Sequence, residues 1–196
     1  MKKQLFIALT LIIFTITGFA QQKLPTLNIN SSEIIEKAQE MDFSEAKEIL
    51  LTIPLGDTLY NTAQMMLGKL HTNNKQYEDA LKYCMWVLEH PNSKVSEKDI
   101  IPTMAECYYY LNDYNTAIFY FNKALEYFPY KAYLHNNLAQ CYMQLEMTTK
   151  AEEHLILAIR CEPFNNSFHY QLALTYLKQR QTIPALLALN FSSYCE

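Results

Sequence analysis

KDIIPTMAECYYYLNDYNTAIFYFNKALEYFPYK, residues 98–131, is the stretch that decides the fold of this chain. It contains two apolar stripes at helical spacing, with a polar break at residues 111–113 between them. The stripe positions are Ile101, Met104, Ala105 and Tyr108 in the first half and Ala117, Phe121 and Ala124 in the second. This pattern predicts a helix, a tight turn and a second helix, with small residues where the two helices approach closely. A pair of helices this short cannot bury both stripes alone, so it needs neighbours.

The same pattern recurs along the chain at an interval of 34 residues. After Ala105, Tyr108, Ala117, Ala124 and Pro129 come Ala139, Tyr142, Ala151, Ala158 and Pro163, and 34 residues further on come Ala173, Tyr176 and Ala185. This register resembles the tetratricopeptide repeat family, whose units carry Leu, Gly or Ala, Tyr, Ala, Phe, Ala and Pro at fixed places. The resemblance implies an all-α fold, a right-handed α-solenoid of antiparallel helix pairs.

The repeat frame makes residues 31–196 a single helical domain. We expect five units, at about 27–58, 59–92, 98–131, 132–165 and 166–196. The first unit is degenerate, as a terminal unit should be, and the second is separated from the third by three extra residues. The residues expected to pack the helices together are Gly68, Ala80, Ala105, Tyr108, Ala117, Phe121, Ala124, Ala139, Tyr142, Ala151, Ala158, Ala173, Tyr176 and Ala185.

The first 20 residues have the pattern of an export signal. Two lysines precede an apolar run at residues 5–16, and Gly18 and Ala20 stand at the two positions that a signal peptidase inspects. We expect cleavage after Ala20, a flexible lead-in at residues 21–30, a periplasmic or extracellular location and no membrane span after cleavage. The alternative is an uncleaved membrane anchor, although the apolar run is shorter than the roughly 20 residues that a span needs.

Charge and motifs argue against nucleic-acid binding and against catalysis. The formal net charge of −4 offers nothing that attracts nucleic acid. No glycine-rich phosphate loop, nucleophile elbow or paired-carboxylate pattern is present in the sequence. His135 and His169 are repeat equivalents, roughly 10 Å apart by the spacing of packed helices, which is too far for one metal ion. We therefore expect a protein that is not an enzyme and that has no cofactor or metal.

Five cysteines in an exported chain suggest disulfides, but their spacing argues against the obvious pairs. Cys107 and Cys141 are repeat equivalents, as are Cys161 and Cys195. Such equivalents lie roughly 10 Å apart or more. A disulfide requires less than about 7 Å between Cα atoms. We expect most of these cysteines to be free thiols, buried or half-buried.

A concave groove is the binding surface that the resemblance implies, because the first helix of each unit lines such a groove in this family. The corresponding residues are Met65, Lys69, Glu106, Tyr109, Tyr110, Tyr133, Asn136, Asn137, Gln140, Met143, Tyr170, Leu174 and Lys178. Amides can pair with the backbone of an extended peptide, and tyrosines add contact area with little entropy to lose. The alternative is that these are ordinary surface and interhelical side chains.

One known specificity of the family can be tested from the sequence. Some members hold a C-terminal carboxylate with Lys and Asn one turn apart in one unit, Asn in the next, and Lys and Arg in the third. This chain offers Met65 and Lys69, then Thr103, then Tyr133 and Asn137. One unit later it begins with Pro102 and Glu106, so that clamp is absent and an anionic chain terminus is a poor candidate for the ligand.

Three hypotheses for the function follow. The leading one is an exported, non-catalytic adaptor that binds a protein or peptide segment in the groove. The second is a structural subunit of an envelope assembly that associates, with a second copy or with another protein, through its C-terminal helix, where Leu186, Leu187, Leu189 and Phe191 form an apolar stripe without a polar capping helix. Alternatively, part of that stripe packs backward on the preceding units. The third hypothesis is an envelope enzyme or an accessory to one.

Overall fold

The fold is known from a computed structural model that describes residues 30–92 and 94–194. The predicted leader, most of the lead-in and Cys195 lie outside these residues. Within them the chain forms ten α-helices and no strand. Their bounds are α1 Ser31–Ala38, α2 Phe43–Leu50, α3 Tyr60–Asn73, α4 Tyr77–Glu89, α5 Glu97–Tyr110, α6 Tyr114–Tyr127, α7 Ala132–Gln144, α8 Thr148–Cys161, α9 Asn166–Lys178 and α10 Thr182–Tyr194. The predicted all-α solenoid is confirmed.

Consecutive helices pair as hairpins, and each hairpin packs on the next. The pairs are α1 with α2, α3 with α4, α5 with α6, α7 with α8, and α9 with α10. The first helices also contact one another from unit to unit, α3 with α5 and α5 with α7. The first helices of the units therefore form one layer of the stack, and this layer carries the candidate site.

Alanines lie at the helix crossings. In the second helices Ala80, Ala117, Ala151 and Ala185 are all fully buried, so residues 34 or 37 positions apart are buried alike. In the first helices Ala105, Ala139 and Ala173 are buried in the same way. Small side chains allow two helix backbones to approach closely, and the larger neighbours fill the remaining gap. The 34-residue pattern of the sequence is thus a pattern of interhelical contacts.

Gly68 marks a close crossing of α3 and α4. It occupies in α3 the place that Ala105 has in α5, 37 residues later. A Cβ atom added at Gly68 would lie 2.8 Å from Sγ of Cys84 and 3.5 Å from the carbonyl oxygen of Ala80, both in α4. Real Cβ atoms do not approach a heavy atom as closely as the first of these distances. Alanine at residue 68 would therefore force the Cys84 side chain or α4 to shift.

Four hairpins turn through a residue in the left-handed conformation. These residues are Lys75, Asn112, Glu146 and Arg180, with φ angles of 60°, 62°, 58° and 60°. In each turn the next N–H donates to a carbonyl five residues earlier; that of Asp113, for example, donates to Tyr108 at 3.0 Å. This hydrogen bond closes a Schellman motif, which usually has glycine at the left-handed position. The described part of the α1–α2 hairpin has no such residue.

Glycine at one of these turns should stabilise the protein. We expect Glu146→Gly to raise the free energy of unfolding by about 0.5–1 kcal/mol, because the left-handed conformation strains a side chain with a Cβ atom. Urea unfolding followed by circular dichroism measures the change. Asn112→Gly is the matched control and should change stability less, since asparagine tolerates this conformation. A loss of stability in Glu146→Gly would contradict the prediction.

The three extra residues between the second and third units lie in the α4–α5 connection. That connection spans residues 90–96, whereas the α6–α7 and α8–α9 connections span only 128–131 and 162–165. The longer segment is anchored by its own side chains, because Val95 is buried and Oδ1 of Asn92 accepts hydrogen bonds from two backbone N–H groups at 2.9 Å. It places the first turn of α5 at one of the cavities described below.

The thiols in the described part of the chain are unpaired. Cys84, Cys107 and Cys141 are buried and Cys161 is half-buried. Burial raises the pKa of Cys84 and of Cys141 to about 12, and that of Cys107 to about 11. Thiols with such pKa values are almost wholly protonated near neutral pH and therefore react slowly.

Of the ten helices, none combines the length and the apolar character that crossing a bilayer requires.

Candidate binding groove on the first helices

Two cavities lie along the layer of first helices, and residues of α5 and α7 line both of them. The charged cavity, about 430 Å³ in volume, is formed by α3, α5 and α7. Its main lining residues are Lys69, Asn73, Lys98, Asp99, Glu106 and Tyr133. The amide cavity, about 570 Å³ in volume, is formed by α5, α7 and α9. It is lined chiefly by Tyr109, Gln140, Met143, Gln144, Gln171 and Leu174. Both volumes are in the range of ligand-binding clefts.

Most of the residues predicted for the groove line one of these cavities. Lys69, Glu106 and Tyr133 line the charged cavity, and Tyr109, Gln140, Met143, Leu174 and Lys178 line the amide cavity. The remaining five are Met65, Tyr110, Asn136, Asn137 and Tyr170. Of these, Met65 packs against buried residues of α4 and α5, and Asn136 is buried. The structure therefore places these two in the helix packing, while their role in binding stays a prediction.

Several lining residues were missed from the sequence. Asn73, Gln144 and Gln171 lie three or four residues from predicted positions, which is one helical turn along the same face. Projection from the family frame gave the correct face of each helix but not every position on that face. Lys98 and Asp99 belong to the first turn of α5, directly after the longer connection. The three-residue interruption of the repeat was the signal that could have pointed to them.

The two carboxylates of the charged cavity have different environments. Burial acts to raise the pKa of Asp99, but hydrogen bonds from the Ser96 backbone N–H and hydroxyl, at 2.8 and 2.9 Å, outweigh it and hold the pKa below its usual value. Burial raises the pKa of Glu106, which is half-buried. Among the described residues the ion pairs are Glu33–Lys37, Asp79–Lys82 and Glu97–Lys123, all outside the two cavities. Glu106 is thus not part of an intramolecular ion pair there.

Tyr109 connects the helices at the edge of the amide cavity. Its hydroxyl donates to Oε1 of Gln140 in α7 at 3.1 Å. Its ring meets the ring of Tyr110 edge-on at 5.2 Å, and Tyr110 in turn stacks on Tyr77 of α4 at 4.8 Å. Such pairs add stability beyond the buried area and restrict ring motion. This edge of the cavity therefore has a fixed aromatic wall.

Asn136 lies on α7 between the two cavities, one turn after Tyr133 and one turn before Gln140. It is only 9% exposed, and its Oδ1 atom has no hydrogen-bond partner in the part of the chain that the structure describes. Its Nδ2 atom reaches Oδ1 of Asn137 at 3.4 Å, which is long for a hydrogen bond. Leaving a buried acceptor unpaired costs about 1–3 kcal/mol. This amide oxygen is therefore a local cost of the packing of α7.

His135 pairs with His154 across the α7–α8 hairpin rather than with its repeat equivalent His169. Nε2 of His135 lies 2.9 Å from the Pro129 carbonyl oxygen, and its Nδ1 lies 3.2 Å from Nδ1 of His154. Because a carbonyl only accepts, His135 carries its proton on Nε2, and His154 donates to it. His169 bonds the Pro163 carbonyl in the equivalent way, at 2.8 Å. In the described part of the chain no three His, Cys, Asp or Glu side chains are grouped to hold a metal ion.

The histidine pair predicts a loss of stability in mild acid. Burial, and next the neighbouring His135, lower the pKa of His154 from 6.5 to about 4. Between these values the unfolded chain binds a proton that the folded chain does not, so stability is full above pH 6.5 and falls as the pH drops towards 4. We expect His154→Gln, which keeps a donor for His135, to have a shallower loss of urea midpoint over this range. Carboxylates such as Asp79 and Glu97 titrate in the wild type and in the variant alike. Only the difference between the two slopes of urea midpoint against pH is therefore informative. Equal slopes would contradict the prediction.

Comparison with known proteins confirms the resemblance seen in the sequence. Residues 108–175 match the model of the tetratricopeptide repeat family. No curated protein matches the sequence. The chain is similar to a crystal structure of MamA, with a TM-score of 0.73 over 86% of this chain and 96% of that one at 15% identity. It is also similar to residues 41–end of MamA from Desulfovibrio magneticus RS-1, with a TM-score of 0.75 over 84% and 92% at 16% identity. At these identities the likeness shows the fold.

Proposed function

Since this chain carries tetratricopeptide repeats in a helical solenoid, the fold of many protein-interaction scaffolds, we propose that it is a non-catalytic exported adaptor. It binds a segment of another protein in the groove formed by its first helices. One observation supports this above the others: two cavities, both lined by α5 and α7, lie along the first helices of four successive units. Export is proposed from the leader pattern at residues 1–20.

The composition of the amide cavity suits an extended peptide. Gln144 and Gln171 each offer a donor and an acceptor, which is what an extended backbone requires along its length. Met143 and Leu174 provide apolar surface on which a side chain can be buried. A peptide in this cavity would therefore find backbone hydrogen bonds and one apolar contact close together.

A selection from a displayed peptide library tests the proposal. We expect the chain from residue 21 onward to enrich peptides whose binding is weakened at least about tenfold by the double variant Gln144→Ala/Leu174→Ala. The matched control, Asn115→Ala/Leu157→Ala, removes an amide and a leucine from the second-helix layer, where Asn115 is exposed and Leu157 is 36% exposed. It should bind as the wild type does. Equal weakening by both double variants, or by neither, would contradict binding in the groove.

A second candidate function, a structural subunit that self-associates through α10, is favoured by one specific observation. Ile183, Leu186, Leu187 and Phe191 of that helix are exposed, while Leu189 is half-buried. An apolar patch of this kind is a frequent feature of protein interfaces. Sedimentation velocity distinguishes the two candidates. Association that increases with concentration and is abolished by Leu186→Asp, with peptide binding retained, would favour the second.

A further inference from the structure

We propose that the charged cavity recognises an arginine side chain of the bound segment, with the Glu106 carboxylate as its acceptor. The inference rests on the proposed function and adds a specificity to the same groove. It names the chemistry of the partner: an extended segment with an arginine placed so that its guanidinium reaches the charged cavity while neighbouring residues lie in the amide cavity.

The first reason is the state of Glu106. This side chain lies in α5 in the middle of the layer, between α3 and α7, and is half-buried. Asp99, in the same cavity, is already bound by the backbone and hydroxyl of Ser96. Among the described residues, no ion pair involves the Glu106 carboxylate. Partial burial of a carboxylate costs free energy unless a cation compensates it, so a cation from a partner would be bound more tightly here than at an exposed acid.

The second reason is the aromatic and amide groups around that carboxylate. Tyr133 lines the same cavity, and burial followed by the Glu106 charge raises the pKa of its hydroxyl. Phe128 lines it as well. A guanidinium stacks on aromatic faces while its N–H groups bond a carboxylate in plane. Asn73, which lines the same cavity from α3, adds an amide oxygen. These groups fit five fixed donors better than the three of an ammonium group.

Two lysine side chains also line the charged cavity. Their exposure determines whether the cavity favours a basic or an acidic ligand. Lys69 and Lys98 line the cavity but are exposed. Exposed lysines are well solvated and mobile, so they can turn towards water when a cation enters, and their attraction for an anion is screened. Glu106 is held closer to the helix packing. The Glu106 carboxylate is less solvated than the two lysine ammonium groups, so it dominates the choice of ligand and favours a cation.

The experiment is a set of peptide selections with three proteins: the wild type, Glu106→Gln and Glu106→Lys. Glu106→Gln keeps the size of the side chain, and a thermal melt confirms that each variant is folded. We expect the wild type to enrich arginine at one position, Glu106→Gln to lose that preference, and Glu106→Lys to enrich Asp or Glu there. For one selected peptide, Arg→Gln should weaken binding to the wild type by roughly 10- to 100-fold and binding to Glu106→Gln much less.

The control and the contrary results are distinct. Glu153→Gln, an exposed change on α8, should keep the arginine preference. Selected peptides that bind in the groove but carry no arginine, or that lose the same affinity with either protein on Arg→Gln, would overturn this inference and leave the proposed function intact. Enrichment of acidic residues by the wild type would assign the cavity to Lys69 and Lys98 instead. If no peptide from the library binds in the groove, the proposed function fails and this inference fails with it.

Discussion

Replacing Phe121 by alanine is expected to lower the free energy of unfolding by about 3–5 kcal/mol. Phe121 is fully buried in the apolar cluster that joins the third, fourth and fifth units and that also contains the alanines of the helix crossings. Removal of its ring leaves a cavity that those small neighbours cannot fill. A loss of this size is a large part of the roughly 5–15 kcal/mol that stabilises a typical domain.

Urea unfolding followed by circular dichroism measures this loss, and α6 provides its own control. Phe119 lies two residues from Phe121 on the same helix but is 60% exposed. Phe119→Ala should change the free energy of unfolding by no more than about 0.5 kcal/mol. Both substitutions remove the same ring, so the difference between them isolates burial. Similar effects of the two substitutions would mean that residue 121 does not occupy the core.

Enlarging Ala151 to leucine is the second change with a large expected effect. Ala151 is fully buried where α8 crosses its neighbours, and three added carbon atoms would force the helices apart. Overpacking of this kind costs about 1–3 kcal/mol, and we expect the upper end, because helix backbones rather than flexible side chains must move.

The control for this change introduces the same residue on the outside of the same helix. Glu153 is exposed, so Glu153→Leu adds leucine without crowding and should alter stability by no more than about 0.5 kcal/mol. Thermal melts and urea curves of both variants measure the contrast. If Ala151→Leu were as stable as the wild type, the crossing would have room that close helix packing does not allow.

The fold could be predicted from sequence because its determinants are side chains. Ala117, Ala151 and Ala185 recur at 34-residue intervals, since each must let two helices approach, and that requirement is visible in the residue type. The left-handed turns could not be predicted in the same way. Glu146 and Arg180 share no chemistry, and their conformation follows from the end of one helix and the start of the next.

The candidate site was only partly predictable, for two physical reasons. A first helix packs against several others and also lines the groove, so a residue such as Asn136 can be buried although its position in the repeat implies the inner surface. In addition, a contact across a hairpin joins two residues of the same unit, so its spacing does not appear in the 34-residue pattern of the sequence. The pair His135 and His154, separated by 19 positions, is an example.

The turns of the four hairpins have a consequence for how such a chain can change. A cation, an amide, an anion and another cation, Lys75, Asn112, Glu146 and Arg180, adopt the same backbone geometry there. All four side chains are exposed, and the hydrogen bond that closes each turn joins main-chain atoms alone. The charge at the turn inside a unit can therefore change without altering the backbone geometry that joins the two helices of that unit.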